Sequence, residues 1–372
     1  MRILVWQWGR FGAGPRIAAD FAAGFRTVPG VTALLSLSRQ SELMHAPDAP
    51  ACDVPVDTYG GLPSYAGRVL TSPALVQQLG AALRRHAPDV ALCAMPGPLD
   101  LAMQAALRRA GVPWAVVVHD ADAHPGDGYP MQMTLQRMLV KRSDAVVALS
   151  DHVATRLRAQ GLVRDKALIR GVLPQPAIEG LAPVQAHGGP FRLLSFGRLL
   201  AYKGLDLLAE ALAMVLPESG MVVRVVGQGP EGPELAALRR LPRVTVENRW
   251  VPEAEIPALL GWADGVVLSH REASQSGVAA AALAARRHLV ATRIGGLVEQ
   301  AAGDPAAILC DVSAEGLAAA LRAMLMAPPP PAAAVQDRLQ AERLVEALRG
   351  LGRKKARVVA MEAQDEKLEQ TV

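Results

Sequence analysis

Two cations and a set of glycine-bearing loops are the residues of this chain whose types and spacing can do chemistry. The stretch FGRLLAYKG, residues 196–204, sets Gly197, Arg198 and Lys203 in one short break. Before it, FRLLSFG reads as a buried strand; after it, LDLLAEALAMVL reads as an amphipathic helix. Cations beside a helix N-terminus oppose its dipole unless an anion lies between them. A bound phosphate resolves that conflict, and two solvated surface charges are the plain alternative. The segment VVRVVGQGPEGPEL repeats the arrangement, with Gly227 and Gly229 after a strand and a helix from about Glu231. A third loop, SHREASQSGVAAAALAA, follows the strand GVVLS and carries Glu272, Ser274, Gln275, Ser276 and Gly277 at the start of a helix. Backbone N–H groups and a serine hydroxyl at a helix start suit a diphosphate. A carboxylate does not, so Glu272 is read as a partner for sugar hydroxyls; an N-capped surface helix is the alternative.

The first half of the chain offers a facing set. GRFGAGPR holds Gly9, Gly12 and Gly14 before Pro15 opens a helix, a loop that lets backbone approach a phosphate or a sugar. Its G-x-x-G-x-G spacing is only loosely that of a dinucleotide site, and a tight turn is the other reading. WAVVVHD ends with His119 and Asp120, where a histidine at the carboxyl end of a strand can bond a sugar hydroxyl or a developing charge. Asp120, Asp122, His124 and Asp127 have the residue types of a metal site, but their spacing fits no metal motif. A solvated acidic loop is expected there, and neither a metal nor another cofactor.

These loops need sheets to hold them. Short apolar runs at 2–8, 31–37, 90–95, 114–119 and 144–149, then at 191–197, 221–227, 243–247, 264–269, 288–292 and 306–310, predict strands. Helical patterns fall between them at 15–28, 73–87, 99–110, 131–142, 203–216, 231–240, 253–262 and 277–286. That alternation predicts an α/β chain with parallel sheets covered on both faces, whose ligands lie outside the carboxyl ends of the strands. The segment LPQPAIEGLAPVQAHGGP interrupts the rhythm, so the boundaries drawn are a first domain over 1–174, a linker over 175–190 and a second domain over 191–335. A helix and charged tail follow over 336–372.

A chain of 372 residues has room for two such cores. Its 51% hydrophobic and 20% charged residues suit a globular protein, and its alanine richness reads as base-composition bias. The net charge of +4 permits an anionic surface or polyanionic ligand without demanding nucleic acid, and none is expected. Cys52, Cys93 and Cys310 form no CxxC pair, which points to a reducing cytosol. MRILVWQWGRFG reads as a first strand rather than a signal peptide. No apolar run reaches the roughly 20 residues that span a bilayer, so a cytoplasmic location is expected, with peripheral contact on the inner face of the membrane left open. The pattern MQMTLQRMLVKRSD over 131–144 is the segment in question: a membrane-facing stripe on one reading, core plus solvated charge on the other.

Taken together, FGRLLAYKGLDLLAEAL, VVGQGPE, WADGVVLSHREASQSGVAAAALAARRHLVATRIGGLVEQ and VVVHD resemble the GT-B-fold glycosyltransferases of family 4, the group 1 transferases, most strongly over 191–300. The resemblance implies two Rossmann-like α/β/α domains facing a cleft. It also implies a retaining, metal-independent hexosyltransferase-type enzyme that takes a UDP- or GDP-linked sugar as substrate. By the same resemblance, Arg198 and Lys203 hold the donor diphosphate, with Gly197, Ser276, Gly277 and the loop from Gly9 to Gly14 nearby. His119 lies near the transferred sugar, and Glu272 at its hydroxyls. The acceptor is a glycan or lipid-linked saccharide in bacterial polysaccharide or glycoconjugate synthesis. One departure stands out. A second family glutamate, expected for the nucleotide ribose, falls on Ala280 or Ala281. That absence keeps a second function class in view, a non-catalytic subunit that binds nucleotide or a partner transferase. A dinucleotide-dependent oxidoreductase is a third, disfavoured by the glycine spacing.

Overall fold

The computed structural model describes residues 1–352 apart from 48, 125, 127–130, 177–180, 182–183, 185–186 and 332–338. Among them, twelve strands form two six-stranded sheets. The first contains β1 (Arg2–Gln7), β2 (Thr32–Leu37), β3 (Val90–Cys93), β4 (Trp114–Val118), β5 (Ala145–Ala148) and β6 (Ala167–Arg170), in the order β2-β1-β3-β4-β5-β6. The second contains β7 (Arg192–Phe196), β8 (Val222–Gly227), β9 (Val244–Asn248), β10 (Gly265–Leu268), β11 (His288–Thr292) and β12 (Ala307–Cys310), in the order β12-β11-β10-β7-β8-β9. Every strand pair is parallel. Central strands such as β4 and β11 are buried along their whole length, which is why they read as unbroken apolar runs.

The helices are α1 (Ala13–Arg26), α2 (Leu62–Leu70), α3 (Ser72–His86), α4 (Asp100–Ala110), α5 (Gln132–Arg142) and α6 (Asp151–Ala159) in the first half. The second half adds α7 (Leu205–Val215), α8 (Pro233–Arg240), α9 (Ile256–Trp262), α10 (Gly277–Ala284), α11 (Leu297–Ala301) and α12 (Ala314–Leu325). The result is the two-domain α/β arrangement of the GT-B fold. In an open parallel sheet, a ligand crevice forms where the strand order reverses. The second sheet runs outward from β7 through β9 and returns at β10 beside β7, so its crevice lies between the loops that leave β7 and β10. Those are the loops carrying Lys203 and Glu272.

Several local expectations change. Helix α1 begins at Ala13, so Gly14 lies inside the helix, and Gly12, at φ +79°, is the residue that turns the chain into it. Strand β6 and helices α2, α6 and α12 are elements to which the sequence reading assigned no run. The methionine and leucine stripe over 131–144 is core: Leu135, Leu139 and Val140 are buried, Met138 packs on the same cluster, and Arg137 and Lys141 face solvent. Within that stripe only Met131, just before α5, leaves its apolar side chain exposed. The chain also returns to its first domain. Residues 339–352 are helical, and Leu344, Val345 and Leu348 join Phe21 and Phe25 of α1 in one apolar cluster. Residues 353–372, the expected charged tail, lie outside the described residues.

Two glycines show how tightly the strand-end loops meet. A Cβ on Gly227 would lie 1.7 Å from the carbonyl oxygen of Gly197. At Gly204, where φ is +63°, a Cβ would lie 2.0 Å from the carbonyl oxygen of Ser269. Neither backbone can yield without opening the crevice. Gly227→Ala and Gly204→Ala are each expected to cost about 1–3 kcal/mol or more. Gly67→Ala, on a helix face with open space around it, is expected to be neutral or mildly stabilising. Chemical denaturation midpoints check this; equal midpoints for all three variants would contradict it.

Candidate active site

Loop 197–204 enters the crevice from β7 and ends in a turn of 3-10 helix, Ala201–Lys203, capped by Gly204. Lys203 is held there over the loop that leaves β10. Its Nζ lies 2.7 Å from His270 Nε2 and 4.8 Å from the centre of the Tyr202 ring. Two further bonds join the two loops, Ser269 Oγ donating to the Lys203 carbonyl at 2.8 Å and Arg271 N to the Tyr202 carbonyl at 2.8 Å, while Thr292 Oγ1 at the end of β11 donates to the His270 carbonyl at 2.6 Å. Arg198, Lys203, Ser195, Phe196, Ser269 and His270 line one pocket. Burial, with the Arg198 charge beside it, lowers the Lys203 ammonium to about 8, although Asp120 pulls the other way. Such a cation is incompletely compensated.

The first domain contributes the opposite wall from the end of β4. His119 is 6% exposed, and its Nε2 lies 3.0 Å from the Ala94 carbonyl. A carbonyl only accepts, so Nε2 carries the proton and the neutral ring keeps a lone pair at Nδ1. Burial lowers its pKa and keeps it neutral, against the Asp120 charge and the Ala94 bond. His119 is therefore suited to accept from a sugar hydroxyl rather than to neutralise a negative charge. Next to it, burial alone would raise Asp120, but bonds from His124 and Ser274 and the neighbouring histidines bring it below its ordinary value.

His124, expected in a solvated acidic loop, instead crosses the cleft. Its ring stacks on Tyr202 with centroids 4.8 Å apart and planes at 16°. Its Nε2 meets Asp120 Oδ1 at 3.2 Å and its Nδ1 meets Glu272 Oε2 at 3.4 Å. Glu272 thus lies at the cleft with a histidine of the other domain on it. Asp122, by contrast, is tied to Arg156 at 2.7 Å, and Asp127 lies outside the described residues.

The glycines earn their places differently from a ligand-approach reading. Alanine Cβ atoms at Gly9 and Gly14 would meet the Gln7 side chain at 2.9 and 2.8 Å, so these two make room for Gln7, whose Oε1 accepts from Gly9 N. Gly229 is needed where the Leu199 carbonyl would lie 2.0 Å from a Cβ, as Gly227 is needed beside Gly197. Gly12 and Gly197 remain as loop positions and Gly277 opens α10; a Cβ on Gly197 would touch Val278 in the first turn of α10 at 3.5 Å. Ser276 follows the alternative reading of its loop, the helix cap. Its hydroxyl caps α10 by accepting from Ala279 N at 3.2 Å, and its amide donates to Gln300 Oε1 at 2.7 Å. What α10 can offer an anion is the amides of Gly277 and Val278. Ala280 and Ala281 are 5% and 6% exposed and packed among apolar side chains, so the missing glutamate leaves no open gap at those positions.

Both ends of the cleft are bridged. Glu299 accepts from Asp151 N at 2.7 Å and His152 N at 3.2 Å and pairs with Arg170, capping α6 from the opposite domain. Ser150 Oγ donates to the Ser274 carbonyl at 3.1 Å. At the far end Arg16 pairs with Glu253 at 3.6 Å, and Phe11 meets Trp250 edge to face at 6.2 Å. Sequence reading missed Tyr202, His270 and the bridging role of Glu299. Histidine-rich strand ends at 119, 124 and 270 were the available signal, but nothing in their spacing says that they converge.

Family comparison gives two matches: residues 31–171 to a glycosyl transferase 4-like domain, and residues 190–327 to the glycosyl transferases group 1. The chain is 30% identical over 249 residues to glycogen synthase of Mycobacterium tuberculosis. That match spans 62% of this chain and 58% of the relative. Among solved structures, HepE of Anabaena in complex with UDP and glucose is similar at TM-score 0.64 and 17% identity, over 100% of both chains. Sucrose-phosphate synthase of Thermosynechococcus elongatus is similar at 0.61 and 15%, again over 100% of both. The UDP-GlcNAc 2-epimerase of Methanocaldococcus jannaschii gives 0.60 and 12%, over 94% of this chain and 99% of that one. At these identities the structural likenesses concern the fold.

The bond to Asp120, with that to Glu272 and both their charges, raises His124 above its ordinary 6.5 against the effect of burial. A raised histidine stabilises the folded contact fully below the unfolded value and loses that contribution as pH climbs through the folded value. Histidine NMR is expected to show His124 titrating above 6.5, and Glu272→Gln is expected to bring that midpoint down. An unchanged midpoint in Glu272→Gln would mean that the bridge carries no charge coupling.

Proposed function

The chain belongs to the group 1 glycosyltransferases of the GT-B fold, and from that premise we propose that it moves a sugar from a nucleoside-diphosphate sugar to a hydroxyl of a glycan or lipid-linked saccharide, with retention and without a bound metal. The observation that carries this reading is the Lys203 ammonium, largely buried in the switch-point crevice, with a neutral histidine as its close partner and Arg198 as a second cation. A diphosphate supplies the missing charge. Arg198, Lys203 and the first-turn amides of α10 take the phosphates, Glu272 takes sugar hydroxyls, and His119 accepts from one through Nδ1.

The reaction follows from charge. As the bond from the anomeric carbon to the phosphate oxygen breaks, negative charge grows on the diphosphate and positive charge on the ring. Fixed cations and helix amides stabilise the first without reorganising, commonly the largest contribution in such sites. The acceptor oxygen then forms its bond to the anomeric carbon from the leaving-group face, and its proton passes to the departing phosphate. Retention results. A relative called glycogen synthase supports a polysaccharide acceptor. No described helix is long and apolar enough to cross a membrane. The alanines at 280 and 281 favour the second reading, a nucleotide-binding subunit without turnover.

Lys203→Ala is expected to lower turnover by roughly a hundredfold or more, measured at saturating UDP- or GDP-sugar. Unchanged turnover would remove the lysine from the leaving-group site. Wild-type protein that binds UDP or GDP yet transfers and hydrolyses no sugar across a donor panel would establish the subunit reading instead. The anomeric configuration of the product, read by NMR, tests retention.

A further inference from the structure

The side chain that meets the Lys203 ammonium is His270, which no family motif quoted above assigns a role. We propose that His270 is a positioning residue of this site: its neutral imidazole accepts from Lys203 at Nε2, and that bond keeps the buried cation charged and in place beside Arg198. The proposal rests on the reading of Lys203 as a phosphate-binding cation and extends it to the residue behind it.

Geometry comes first. The Nζ–Nε2 separation is 2.7 Å, and His270 is 4% exposed two residues past the end of β10, on the wall of the pocket. Bonds from Ser269, Arg271 and Thr292 fix the backbone on both sides of the contact, so neither partner reaches the other by chance of rotamer alone. Chemistry then sets direction. An ammonium only donates, so Nε2 must accept, and only an uncharged ring can do so. Burial, the Lys203 charge and His124 hold His270 well below 6.5, in the form that accepts.

The tautomer follows, and it is unusual in its cause. A structural histidine commonly has its second nitrogen fixed by a carboxylate or carbonyl. Here Nδ1 is buried and has no hydrogen-bond partner among the described residues. Lys203 alone therefore specifies which nitrogen bears the proton. The other groups around the ammonium divide. From its own loop come Arg198, which repels it, and the Tyr202 ring, which attracts it. From the opposite domain come Asp120, which attracts it, and His124, which is engaged by Asp120 and Glu272. Without the imidazole, a cation already lowered to about 8 loses the acceptor His270 gives it among the described residues.

The test uses the full chain with lysine Cε carbon-labelled, Lys203 being assigned through Lys203→Arg. Its titration is followed by NMR in wild type, His270→Gln and His270→Phe. The wild-type midpoint is expected near 8. Glutamine, whose amide oxygen accepts, is expected to stay close to it, and phenylalanine to fall lower by about half a pH unit or more. If the phenylalanine variant does not fold, His270→Asn, too short to reach Nζ, takes its place. A Lys203 midpoint indifferent to all these changes overturns the proposal. UDP and GDP binding, measured by calorimetry from pH 6 to pH 9, is read separately. Affinity that declines on the alkaline side in step with each variant's Lys203 titration supports the role at the phosphates. Loss of that correspondence, with the titration still sensitive to His270, overturns the diphosphate reading and leaves the lysine–histidine pairing standing.

Discussion

A buried ammonium is the constraint around which this cleft is organised. Lys203 sits where two strand-end loops of the second sheet come together, with the His270 ring nitrogen, the Tyr202 ring and Asp120 around its charge. Withdrawing a charge from water is costly unless it is paired and hydrogen-bonded. The compensation at Lys203 is partial, since Arg198 stands beside it. Partial compensation is what a site for a multiply charged anion requires: a fully paired lysine has nothing left to offer.

Holding that arrangement demands close backbone contact. The loops leaving β7, β8 and β9 continue one another's hydrogen bonding beyond the sheet, with Gly197 N bonded to the Val226 carbonyl and Leu199 N to the Gln228 carbonyl. Glycines at 204, 227 and 229 exist for these approaches of chain to chain. The two domains meet through a different chemistry, chiefly carboxylates on backbone amides and cations. Glu299 on the start of α6, Glu253 on Arg16 and Glu272 on His124 are all polar and partly solvated contacts. Contacts of that type hold two bodies together while allowing their separation at modest cost.

Much of the fold was legible because parallel strands buried on both faces write themselves as unbroken apolar runs. Eleven of the twelve described strands lie on segments read as strands, including β9, an edge strand with no buried residue that alternation around Val244 and Val246 still marks; β6, an edge strand of the first sheet with all four residues at least partly exposed, was not read. Among site residues, Arg198 and Lys203 could be singled out because cations at a helix start contradict a local electrostatic rule. Glu272 could be singled out because a carboxylate contradicts the phosphate reading of its own loop. Ser276 was legible as a helix cap, and capping is where its hydroxyl is spent.

Local rules say nothing about which loops share a crevice. His124 and Glu272 are 148 positions apart, and Lys203 and His270 are 67 apart. Their meeting depends on the return of the chain from β9 to β10 beside β7 and on the facing of one sheet by the other. The sequence by itself determined the alternation of elements, the apolar cores and the presence of cations where a helix begins, because each follows from periodicity and near-neighbour electrostatics. Tertiary structure alone decided which histidine lies against the lysine, which one crosses to the glutamate, and that the glycines serve chain packing. Those outcomes depend on distances between loops remote in sequence, and it is at such distances that burial and charge set the state of each group.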